Sequence, residues 1–130
     1  MKLHNPALLI LGLIFHLNLF AQTSIEGIWK GTSICQIKNS PCHDEQVVYY
    51  ISKDSSGKNN FQVKGYKIVE GKEDFMGTLI YTYDSQKETF VCVDEPRNAR
   101  WEFQKKGGEM SGKLISRNEL SRIVNLKKQN

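Results

Sequence analysis

Beyond its first two dozen residues the chain breaks into short runs rich in Val, Ile, Tyr, Phe, Trp and Thr, and no stretch between them is long enough for a crossover helix. Eight runs are read: 25–37, 46–52, 61–70, 75–83, 89–94, 100–105, 109–116 and 120–127. Parallel neighbours need a long crossover and antiparallel neighbours do not, so consecutive runs are expected to pair antiparallel. No apolar segment of helical length keeps an i, i+3, i+4, i+7 pattern. The connections carry turn chemistry. Residues 54–60 read Asp-Ser-Ser-Gly-Lys-Asn-Asn, and Gly107-Gly108 suits a two-residue hairpin turn whose central residues need positive φ. Arg117-Asn118-Glu119 closes the last hairpin.

Eight antiparallel strands in one sheet leave two edges, and closing the sheet on itself removes both. The expected fold is therefore all-β, an eight-stranded antiparallel up-and-down barrel. A two-sheet sandwich is the competing arrangement, but Greek-key sandwiches use a long connection and the longest gap here is about eight residues.

The N-terminus reads as a secretory signal peptide over residues 1–21, followed by one domain over 22–130. Lys2 supplies the positive start, residues 7–15 form a short apolar run, and small Ala21 precedes Gln22 at a plausible cleavage point. That run is far below the roughly 20 residues a membrane helix needs. The ending Phe20-Ala21-Gln22 resembles leaders of exported bacterial proteins. The expectation is a secreted or periplasmic protein with no membrane span after cleavage. With 39% hydrophobic and 25% charged residues the chain is globular in composition. Its formal charge of +4 is spread along the strands, so nucleic acid is not an expected partner. Lys105-Lys106 and Lys127-Lys128, the densest basic pairs, read as solvated surface.

Alternation assigns the inner wall. Gly27, Trp29, Gly31, Ser33 and Cys35 share a face, as do Val47, Tyr49 and Ile51, and then Phe75, Gly77, Leu79, Tyr81 and Tyr83. Later strands contribute Phe90 and Cys92, Trp101 and Phe103, Met110, Gly112 and Leu114, and finally Leu120, Arg122, Val124 and Leu126. In the third run Phe61 and Val63 point inward, with a bulge at Gly65 that would switch the phase to Tyr66 and Ile68.

Gly27-Ile28-Trp29 near the start of the first strand resembles the Gly-x-Trp motif of lipocalins and the wider calycin superfamily. The resemblance implies that Trp29 plugs one end of the barrel and that an Arg from the last strand, here Arg122, packs across it. It also implies a binding module for a small hydrophobic molecule. The chain departs from lipocalins in being short, with no room for their C-terminal helix, and its first connection is too short for the helical lid of fatty-acid-binding relatives. Short bacterial members include periplasmic protease inhibitors, whose inserting arm would correspond to Gln22-Thr23-Ser24.

The aromatic lining Tyr49, Tyr81, Tyr83, Trp101 and Phe103 is the candidate ligand-binding set, for a small hydrophobic or aromatic ligand oriented by tyrosine hydroxyls. The alternative is that these rings fill the core and that the protein acts on an exported protein partner. Cys35 and Cys42 flank the first connection, and in an oxidising compartment they are expected to form a disulfide, with Cys42–Cys92 as the other pairing. A second alternative function is metal binding by Cys35, Cys42, His43 and Cys92, although Cys-x₆-Cys is not a usual ligand spacing. No nucleophile–base pair or phosphate loop is present in sequence, so a non-catalytic protein without a cofactor or resident metal is expected.

Overall fold

A computed structural model describes residues 24–130; the signal-peptide reading of 1–21 lies outside the described residues. The eight strands are β1 (Gly27–Cys35), β2 (Glu45–Lys53), β3 (Asn60–Val69), β4 (Lys72–Asp84), β5 (Thr89–Asp94), β6 (Ala99–Lys106), β7 (Glu109–Ser116) and β8 (Glu119–Lys128). They pair antiparallel in chain order and close into a barrel through β1 and β8. A 3₁₀ turn at Glu95–Arg97, ended by Asn98 in the left-handed region, joins β5 to β6. The sequence reading has no element there, because three residues around one Pro carry no periodicity.

Inward residues form one core of Ile25, Trp29, Val47, Tyr49, Ile51, Phe61, Val63, Tyr81, Phe90, Cys92, Phe103, Met110, Val124 and Leu126. Outward positions carry Lys30, Lys64, Glu102, Lys113 and Asn125. The apolar face is thus inside, the reverse of a barrel that faces lipid. Among the described residues no helix is long and apolar enough to cross a membrane.

Two bulges correct the alternation. Gly65 pairs with Gly77 but Tyr66 pairs with Phe75, so the extra residue is Met76 on β4. β3 therefore keeps its phase against β2, and Tyr66 stays outside with its ring 5.3 Å from those of Tyr50 and Phe75. Phe75, expected inside, is 56% exposed. In the same way Leu114 pairs with Arg122 and Ile115 with Leu120, which leaves Ser121 as the extra residue and turns Leu120 outward. One inserted residue inverts every side chain beyond it.

Trp29 is fully buried at the end of the barrel where β1 begins, and its Nε1 donates to the Ile25 carbonyl at 2.9 Å. Gly27 has φ +130°, a conformation that residues with a Cβ rarely adopt, so the backbone favours glycine there. Gly31 lets β1 and β8 approach closely: a Cβ would sit 1.7 Å from the Asn125 carbonyl oxygen. Lys105, expected on the surface, continues the inner face of β6 after Phe103; its side chain is 1% exposed, with Nζ 3.6 Å from Glu88 Oε1.

Candidate functional site

Core packing is uneven along the barrel axis. Toward the Trp29 end, Tyr81 stacks on Phe90 with centroids 4.5 Å apart, and Phe61 and Tyr83 meet Phe90 edge-on. At the other end the wall opens. β4 and β5 pair only over Thr82–Val91, Tyr83–Phe90 and Asp84–Thr89. Before Thr82 on β4 and after Val91 on β5 the pairing ends, and β4 residues 76–79 and Arg97 of the 3₁₀ turn line the same opening. A cavity of about 310 Å³ occupies this half of the barrel. Its apolar wall comes from Val63, Met76, Leu79, Trp101 and Leu114, with Tyr49 and Tyr81 toward its floor and Asp94 and Arg97 at its rim. The volume is at the low end of the range for small-molecule sites, roughly 300–1,000 Å³.

Of the five aromatics expected to bind a ligand, Tyr49, Tyr81 and Trp101 line this cavity. Tyr83 lies apart, against Phe61 and Phe90. Phe103 is not in the lining but packs behind it, its ring 6.3 Å from Tyr49 and 6.2 Å from Tyr81. Sequence reading missed Met76, which the bulge brings to the cavity lining out of phase while leaving it 46% exposed. It also missed the Asp94–Arg97 pair, joined at 2.9 Å across the 3₁₀ turn.

The two cavity tyrosines are 5% and 2% exposed. Neither hydroxyl has a hydrogen-bond partner among the described residues, yet no fully enclosed side-chain polar atom there is left unpaired. Both hydroxyls therefore keep accessible surface, and both residues line the cavity. Burial holds the Tyr49 phenol far above the usual range; the Glu45 carboxylate adds to this and the Arg122 guanidinium opposes it. Burial also raises Tyr81, helped by Tyr49 and Cys92. Both are neutral donors at ordinary pH.

No protein-family model matches the chain, and no curated protein is significantly similar to it.

Arg122 does not meet Trp29. β8 runs antiparallel to β1, so Lys128 stands beside Trp29 and Arg122 beside Cys35, six residues or about 20 Å further along. The cation over the indole is Lys128, whose Nζ lies 5.9 Å from the ring centroid and donates to the Ser24 carbonyl at 2.6 Å. Arg122 instead braces the opposite end. It donates to the Ser33 carbonyl and hydroxyl and to the His43 carbonyl, and lies 3.7 Å from Glu45.

Cys35 and Cys42 are joined in a disulfide with Cα atoms 5.9 Å apart, and Cys92 is a buried free thiol. Asp44 Oδ1 accepts from the Cys35 backbone N–H, so the loop is tied down at both ends. Two of the four residues of the metal alternative are thus bonded to each other and a third lies in the core. Among the described residues no group of three or more His, Cys, Asp or Glu side chains is placed to hold an ion. Burial pushes the Cys92 thiol up to about 11, with Asp94 adding.

Proposed function

We propose that this protein is an exported, lipocalin-like carrier that binds one small hydrophobic or aromatic molecule inside the barrel and catalyses no reaction. The observation that carries the reading is the cavity at the β4–β5 parting, with aliphatic and indole walls and two open phenols at its base. Kinship with the calycin superfamily is supported by the closed eight-stranded meander and by Gly27 and Trp29 at its plugged end. The disulfide and the charged outer face agree with export and with an aqueous surrounding. A filled barrel acting only on an exported protein partner has less support, because one half of the interior is open.

Native mass spectrometry of the protein purified from its own cells tests this, with a retained small-molecule mass as the expected result. Trp101 lines the cavity and Trp29 does not. Ligand-dependent fluorescence should therefore vanish in Trp101→Phe and persist in variants at the exposed rim. If no extract fraction changes the fluorescence and no adduct is retained, the carrier reading fails.

A further inference from the structure

We infer that the ligand is an uncharged molecule with an apolar body and a carbonyl-type oxygen that accepts hydrogen bonds from Tyr49 and Tyr81. This rests on the cavity being a ligand site and specifies its chemistry. Both side chains are more than nine-tenths buried and line the cavity, and their hydroxyls keep accessible surface with no hydrogen-bond partner among the described residues. A purely apolar occupant would displace water from both donors and replace it with nothing, which is unfavourable for each. A carbonyl oxygen has two lone pairs and no proton of its own, so one atom satisfies both phenols. Both rings pack against Phe103, at centroid distances of 6.3 and 6.2 Å, so the two phenols share one neighbour in the core.

The neutral charge follows from the surroundings. The ionic groups nearest the cavity are already matched, Arg97 with Asp94 at 2.9 Å and Arg122 with Glu45 at 3.7 Å. The rest of the wall carries no charged side chain; apart from the neutral hydroxyls of Thr78 and Ser116 it is glycine, aliphatic or aromatic. An anion or cation entering it would lose its hydration without gaining a free counter-charge.

The test compares acetophenone, its isostere α-methylstyrene (a methylene in place of the oxygen) and benzoate, by calorimetric titration of the protein. Acetophenone is expected to bind at least about tenfold more tightly than α-methylstyrene, because a site built around donors rejects the analogue lacking the acceptor. The bound carbonyl stretching band should move to lower frequency. Both readouts come from the unaltered protein, so they do not depend on any variant folding. In Tyr49→Phe/Tyr81→Phe the preference should shrink to within about threefold. Equal or tighter binding of α-methylstyrene would overturn the inference while leaving the carrier reading intact. Tighter binding of benzoate would overturn the neutral charge. Failure of all three probes to bind would count against the carrier reading itself.

Discussion

Arg122 on the last strand donates to the backbone carbonyl of His43 at 3.0 Å, linking the disulfide loop to the seam where the barrel closes. The same guanidinium reaches Ser33 on the first strand and Glu45 at the start of the second. A single planar group with several donors therefore holds β1, β2, β8 and the loop together at the open end. Replacing it by Ala leaves half-buried acceptors unmatched. Arg122→Ala is expected to lower unfolding stability by about 2 kcal/mol, and Arg122→Lys to recover only part, as read from urea midpoints. A loss confined to Glu45 variants, with Arg122→Ala neutral, would contradict this bracing role.

Trp29 is expected to be the costliest single position. Its removal empties the plugged end and orphans the Ile25 carbonyl that its Nε1 now reaches. Trp29→Ala should destabilise by about 3–5 kcal/mol. Trp29→Phe, which keeps most of the volume but loses the hydrogen bond, should cost clearly less. Lys128→Met should cost little, since the Lys128 ammonium is a partly solvated cation at 5.9 Å from the ring.

Thiol titration should find no reactive thiol in the native protein, one after denaturation and three after denaturation with reductant. The one is Cys92, buried in the core, and the other two are Cys35 and Cys42. Cys35→Ser/Cys42→Ser should lower stability by about 2–3 kcal/mol, because a loop this short loses a modest entropy when closed in the unfolded chain. Three thiols in the untreated denatured protein would refute the bridge.

Stability should fall on the alkaline side. The folded state holds the Cys92 proton to about 11 against an ordinary 9.0, and it holds the Tyr49 and Tyr81 protons above their ordinary 10.0. The unfolded chain releases them at those ordinary values, so above them it binds fewer protons than the native state. Their contribution is complete below pH 9.0 and is lost as pH rises through 9.0 and past about 11. The urea midpoint should therefore be level from neutral pH to about 9 and then decline, and less steeply in Tyr49→Phe/Tyr81→Phe. A midpoint unchanged through the alkaline range would sink the prediction.

Much of this protein is local information. Period-two alternation, turn residues and short connections are properties of neighbouring residues, so the eight strands, their antiparallel order and most of the inner face were legible in the sequence. The Cys35–Cys42 pairing was legible too, because seven residues across a hairpin connection leave little else for the two thiols to meet. What the tertiary structure alone decided were quantities that accumulate around the closed sheet. The Met76 and Ser121 bulges are properties of pairing between strands, and each reversed the facing of residues beyond it, sending Phe75 and Leu120 outward. The stagger at closure placed Lys128 rather than Arg122 against Trp29. The parting of β4 from β5 decided which aromatics line space and which fill it, because a cavity arises where paired strands of unequal length diverge, and no single strand's pattern records the length of its neighbour.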